Sequence, residues 1–539
     1  MSESPSAATL AAAAEAIAAP APPADPRMAA AMTGMGVSWR AQQMPEQMAI
    51  ISANGNRTYA ALNARANQVV RALRARGMGV GDSLALICTN RPEFVETWAA
   101  CARAGFRLTP VNWHLTAEEA GYIVDDCEAK AVVADARLGD QARGAAEMAP
   151  RATVRLAAGG AIPGFESYDD AVGVESGEDI DDPTLGSSML YTSGTTGRPK
   201  GVHRPAAQTA ATATINLFGY ADDGTDVELC TGPLYHAAPL SFSLAIPLNF
   251  GATVVLMDGW SAEETLRLVQ EHKVTHMHMV PTMFHRMLAL PDDVRAKYDL
   301  SSLKHILHGA APCPVPVKQA LIEWLGPIVV EYYAATEGVG SFVDSATWLS
   351  KPGTVGKPFG PDQVRIGDED GNPLPANDIG LVYIKAPEAT RFEYFKDKDK
   401  TASSFRGEYF TLGDVGYLDE DGYLFLTDRT ANLIISGGVN IYPAEVDAVL
   451  LTHPAVGDAA TIGIPNPEWG EEVKAVVEVK AGLTPSPELA AELIAFCRER
   501  LSSYKCPKSV DFIDALPRQD NGKIYKRVLR DRYREEAAR

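Results

Sequence analysis

Between Tyr191 and Val202 the chain packs three glycines, four Ser/Thr hydroxyls and two cations into twelve residues: Tyr191-Thr192-Ser193-Gly194-Thr195-Thr196-Gly197-Arg198-Pro199-Lys200-Gly201-Val202. That mixture suits phosphate. Glycines let backbone N–H groups approach an anion, hydroxyls donate further hydrogen bonds, and Lys200 can neutralise charge. The spacing is not that of a Walker A loop, because Pro199 sits immediately before the lysine and no G-x-x-x-x-G-K-[ST] pattern is present. A plain Ser/Thr/Gly turn rarely combines this length with a lysine and a strand-like approach from Met189-Leu190-Tyr191.

Further chemistry-bearing clusters follow in chain order. Tyr332-Tyr333-Ala334-Ala335-Thr336-Glu337-Gly338 reads by itself as a strand end running into a loop, and it offers a hard carboxylate of the kind Mg2+ takes together with phosphates. Thr411-Leu412-Gly413-Asp414 and Asp428-Arg429 would be solvated surface charges if met singly. Ser436-Gly437-Gly438-Val439 reads as a hairpin turn whose two glycines permit close backbone approach. Pro517-Arg518-Gln519-Asp520-Asn521-Gly522-Lys523 would be part of a basic tail with Lys526, Arg527 and Arg530. His236 stands in Pro233-Leu234-Tyr235-His236-Ala237-Ala238-Pro239. His276 and His278 alternate on one face of an expected strand; without a carboxylate or cysteine partner they read as core or pocket histidines rather than zinc ligands.

Taken together and in order, these segments closely resemble the signatures of the adenylate-forming superfamily, which includes acyl-CoA synthetases, peptide-synthetase adenylation domains and beetle luciferases. The resemblance spans about Ala49 to Leu529. It implies that Thr192, Ser193, Gly194, Thr195, Thr196 and Lys200 hold ATP phosphates, with Gly309 and Ala310 in the same cofactor-binding set. Tyr333 would stack on adenine, Thr336 would touch phosphate and Glu337 would hold Mg2+. Asp414 would accept from the ribose hydroxyls, Arg429 would hold ribose or phosphate oxygens, and Gly437 and Gly438 would line the pantetheine path of coenzyme A. Lys523 would bridge the substrate carboxylate and the α-phosphate, and His236 would stand near the acid. The chain departs from the pattern at Ala334 in place of glycine, at Leu412 in place of threonine, and at Ala431 and Asn432, where a charged hinge is usual.

The implied activity is AMP-forming acyl-CoA ligation of a carboxylic acid. Small residues at Ala237, Ala238, Gly309, Ala310, Ala334, Gly338 and Gly340 suggest room for a fatty, aromatic or otherwise bulky apolar acid, and they equally suit close backbone packing. Two rivals are a stand-alone adenylating enzyme that loads a carrier protein and a silent nucleotide-binding relative.

Composition narrows the setting. With 49 Lys and Arg against 69 Asp and Glu the net charge is -20, which disfavours a nucleic-acid partner. Seven dispersed cysteines without a C-x-x-C pair indicate reduced thiols and a cytoplasmic setting. No apolar run approaches a membrane span, so no stable membrane insertion is expected. The Ala/Pro-rich stretch Ala7–Pro23 follows Glu3, contains Glu15 and is not read as a signal peptide. A homodimer is left open.

The elements that must position these residues read as α/β. An amphipathic helix over Thr58–Gly77, a strand over Ser83–Cys88, a helix over Pro92–Ala104 and a strand over Ala131–Ala134 alternate as parallel sheets with crossover helices do. The same order returns at Gly251–Met257, Ala262–His272, Thr275–Val280 and Thr282–Leu290, predicting a second sheet. A length of 539 residues calls for more than one domain. We expect a flexible extension over 1–35, a large domain of parallel-type sheets over 36–428, a hinge at 429–432, and a small mobile α+β lid over 433–539 that includes a helix near Pro443–Leu451.

Overall fold

The computed structural model describes residues 25–192, 199–216, 218–360, 362–429, 432–436, 439–466, 469–518 and 524–538. Among these, strands assemble into sheets of nine, eight, six and five strands. Periodicity reads the helices closely. Tyr59–Ala75 buries Leu62, Ala66, Val69, Val70 and Leu73 on one side, and the Thr58 hydroxyl caps it by accepting from the Ala61 N–H. Pro92–Ala104 starts on a proline and ends at Gly105, whose φ of 71° is the left-handed geometry that terminates helices. Ala262–His272 is as expected, whereas the next helix begins at Pro281.

Both large sheets are parallel in their centres. The eight-stranded sheet runs Glu393–Tyr394, Lys200–His203, Ser187–Thr192, Arg107–Pro110, Ser83–Ile87, Ala129–Asp135, Val154–Ala158 and Glu166–Ser167. The nine-stranded sheet carries Val227–Cys230, His276–Met279, His305–His308 and Val329–Ala335 side by side in parallel. Its edge strand Gly338–Val343 turns back antiparallel, a pairing the α/β reading did not anticipate. The two faces of this sheet bury different cores. Leu229, Met277, Ile306, Val329 and Trp348 share one, and Phe218, Tyr220, Leu307, Val330 and Tyr332 share the other.

An antiparallel sheet over residues 364–429 supplies Asp414, and a five-stranded sheet follows it over 434–512. Helix Lys526–Ala538 packs on that last sheet through Leu529 and Tyr533. The expected flexible extension needs correction at its inner end. Helix Pro26–Ala31 is capped by Asp25, and Arg27 joins Arg40 in pairing with Asp222, which ties this stretch to the large domain. Among the described residues no helix is long and apolar enough to cross a membrane.

Candidate active site

In open α/β sheets ligands gather outside the carboxyl ends of strands. Here the ends of Ser187–Thr192 and Val329–Ala335 open onto one cavity of about 1910 Å3. Thr192 and Lys200 face each other in register as the last paired residues of their hairpin, so two strands fix both shoulders of the phosphate string. Ser193, Gly194, Thr195 and Thr196 lie outside the described residues. Lys200 lines the cavity, and its Nζ pairs with Asp397 at 2.5 Å. That hydrogen bond holds the Asp397 carboxyl below the usual carboxylate range.

Thr336 and Glu337 form the turn between Val329–Ala335 and Gly338–Val343, and both line the cavity. The Tyr394 hydroxyl donates to Glu337 at 2.9 Å, and the Lys200 Nζ lies 6.0 Å from the centre of the Tyr394 ring. Phosphate-string lysine and carboxylate turn are therefore joined by one aromatic residue. Burial, and then the Glu337 charge, raise the Tyr394 hydroxyl above its ordinary pKa and keep it a donor.

Tyr333 donates to Asp414 at 2.7 Å, uniting two expected nucleotide residues from distant segments. One Asp414 oxygen is thus already engaged by the tyrosine. Tyr333 needs its glycine neighbour, because a Cβ on Gly340 would fall 2.5 Å from a ring carbon. A register shift between Tyr333 and Ala334 breaks the ladder at this point, and Ala334 lines the cavity. Arg429 pairs in backbone register with Asp414.

The small residues divide by role. Ala237, Ala238, Ala310 and Ala334 line the cavity, as does His236 at the N-cap of Ala237–Leu240. Ala310 does so at a φ of 66°, a left-handed backbone uncommon for alanine. Gly309 does not line it; a Cβ there would meet the Tyr332 ring at 2.6 Å, so this glycine serves close packing. Gly338 does both, lining the cavity while a Cβ would stand 2.9 Å from Phe410.

Gly437, Gly438 and Lys523 lie outside the described residues. On either side of Lys523, Arg518, Tyr525 and Arg527 line the cavity, so the C-terminal segment reaches the same space. Arg518 pairs with Asp458, and burial pulls its guanidinium down to about 10.

Sequence reasoning missed Tyr394, Asp397 and Arg204. The strand Glu393–Tyr394 joins the phosphate hairpin only through tertiary pairing, Tyr394 opposite Val202, and Phe392-Glu393-Tyr394-Phe395 carries no local sign of it. Arg204 follows the phosphate string by two residues and lines the cavity. Its buried Nε has no hydrogen-bond partner, and burial lowers its pKa against the pull of Glu337. The expected core role for His276 and His278 agrees with the geometry. His276 bonds the Phe218 carbonyl at 3.0 Å and the Thr275 hydroxyl at 2.8 Å, and His278 bonds Tyr332 at 3.0 Å.

A family model described as AMP-binding enzyme matches residues 37–392, and one described as AMP-binding enzyme C-terminal domain matches 445–523. The chain belongs to the AMP-binding enzyme family. It is 34% identical to a 2-succinylbenzoate–CoA ligase of Geobacillus kaustophilus over 91% of this chain and 96% of that protein. It is 32% identical to a fatty acid–[acyl-carrier-protein] ligase of Streptomyces coeruleorubidus over 93% and 96% of the two chains. The crystal structure of an anthranilate CoA ligase in complex with anthranoyl-AMP superposes with a TM-score of 0.84 at 25% identity, covering 94% of this chain and 98% of that one. Family and fold together make the chain an adenylate-forming ligase, and the cavity bounded by Lys200, Thr336 and Glu337 is where its nucleotide chemistry belongs.

The residues fit a metal carried mainly by phosphate. Glu337 is a buried carboxylate lining the cavity, and among the described residues no group of three or more His, Cys, Asp or Glu could form a protein cage. Mg2+ is commonly held by one or two carboxylates plus substrate phosphates, so Glu337 would hold it and the ion would screen phosphate charge.

Proposed function

We propose that the chain activates a carboxylic acid with ATP as an acyl-adenylate and transfers the acyl group to coenzyme A. The observation that carries this is the convergence of the Thr192–Lys200 hairpin, the Thr336–Glu337 turn and the Arg518–Arg527 flank on one cavity. Apolar and small walls at Ala237, Ala238, Ala245, Phe242 and Val339 suit a fatty or aromatic acid.

In the first half-reaction an acid oxygen attacks the α-phosphorus, the bond to the β-phosphate breaks, and pyrophosphate leaves. Lys200 and Thr336 hold phosphate oxygens while Asp414 and Arg429 take the ribose. Lys523 meets charge on the carboxylate and α-phosphate, and Mg2+ on Glu337 would offset triphosphate charge. In the second, the thiolate of coenzyme A attacks the acyl carbon and AMP departs. Gly437 and Gly438 give the pantetheine close passage after residues 433–539 turn about a hinge at 429–432. Positioning and preorganised charge supply most of the rate.

Lys523→Ala is expected to cut adenylate formation by about 10²–10³ while sparing thioester formation from a supplied acyl-adenylate. Equal loss in both half-reactions would remove that role. A carrier protein is the second candidate acceptor, favoured by the similarity to the carrier-protein ligase. Mass spectrometry of products made with coenzyme A and with a phosphopantetheinyl carrier decides between them. A cytoplasmic location accords with seven unpaired cysteines.

A further inference from the structure

Beside the large cavity lies a small void of about 10 Å3, room for a single water-sized group. Phe218, Tyr220, Glu228, His276 and His305 line it, and Phe242 and His278 are shared walls of both spaces. Glu228 is 1% exposed, and among the described residues no cation pairs with it. Its Oε2 accepts from the Tyr220 hydroxyl at 2.9 Å, while its Oε1 has no partner. Ser243 sits beside Glu228 on the π-helical turn Ser241–Ala245, and its buried Oγ also lacks a partner. The histidines do not fill the deficit, since His276 is engaged by Thr275 and Phe218 and His278 by Tyr332.

Buried polar atoms without partners cost about 1–3 kcal/mol each, so a pair of them around a void marks a place where a polar group belongs. We propose that the acid site continues past Phe242 into this inner pocket, where Glu228 and Ser243 hold a hydroxyl carried at the far end of the substrate acid. The inference rests on the ligase reading above. Burial pushes Glu228 up to about 8 and pulls His278 down to about 3, so at neutral pH the pocket is uncharged. With Oε2 already accepting, the Glu228 proton sits on Oε1 and points at the void. A hydroxyl accepts that proton's hydrogen bond and donates to Ser243; a distal carboxylate finds no cation there. Phe242, on a turn of a kind frequent at functional sites, is the side chain that must swing aside.

The test uses acids matched in length with and without a distal hydroxyl, in a phenolic and an aliphatic series, read by pyrophosphate release. Wild type should favour the hydroxy acid by about tenfold or more in kcat/KM in one series, because a site built to bond a hydroxyl rejects the analogue lacking it. The series that responds tells which kind of hydroxyl reaches the pocket. Glu228→Leu should abolish the preference, Glu228→Gln should keep part of it, and Ser243→Ala should weaken it if Glu228→Leu fails to fold. Pyrophosphate release with no hydroxyl preference in either series overturns the pocket and leaves the ligase standing. No release with any acid overturns both.

Discussion

Two glutamates are buried in the same sheet, one on each face. Glu331 meets Lys318 at 2.6 Å, and the lysine stands over the Trp348 ring at 4.7 Å. Glu228, on the face toward the acid cavity, has only the Tyr220 hydroxyl and an empty corner. A buried charge with its counter-charge is part of the scaffold, whereas one left incomplete beside a cavity is completed by what enters. Arg204 belongs with Glu228 in this respect: it is an uncompensated cation on the cavity wall.

The contrast can be broken by mutation. Lys318→Met leaves Glu331 buried without its cation, and stability in urea unfolding should fall by about 3–5 kcal/mol. Arg204→Met removes a cation that had no partner, so the urea midpoint should hold while adenylation slows by about 10². A large stability loss in that variant would show Arg204 to be scaffold and would collapse the distinction. Tyr333→Phe deletes the donor to Asp414, and ATP KM should rise up to about tenfold, corresponding to about 1 kcal/mol for one hydrogen bond.

The smallest effect lies in pH. The Glu228 carboxyl titrates at about 8 when folded against 4.5 as the model value. Between those values the native chain holds a proton that the unfolded chain has lost, so stability falls as pH rises and levels off above about 8. Glu228→Gln should flatten that part of the profile, measured as the difference in urea midpoint between pH 5.5 and 7.5. An unchanged slope would mean that Glu228 is ionised in the native pocket.

Local signals carried much of this arrangement. Hydrophobic period and caps located Tyr59–Ala75, Pro92–Ala104 and Ala262–His272, because each helix buries a contiguous stripe bounded by Thr58, Gly105 or Ser261. The phosphate string and the Thr336–Glu337 turn were legible as chemistry. What escaped was pairing over long separations: Tyr394 against Val202, Asp397 against Lys200, and Glu228 against Ser243. No residue near Asp397 in sequence announces a lysine 197 positions away. The start of the ordered chain was hidden for the same reason, since Arg27 gains its partner only when Asp222 folds beside it.

Asp397 holds two posts at once. One of its oxygens caps the helix Lys398–Ser404 by accepting from the Lys400 N–H at 2.9 Å, and the other occupies Lys200. An arriving triphosphate must outcompete that second attachment, while the first keeps the aspartate in place to reclaim the lysine when the nucleotide leaves. The affinity of the enzyme for its nucleotide is therefore adjustable from a residue that no phosphate signature contains, by a resident rival that never departs.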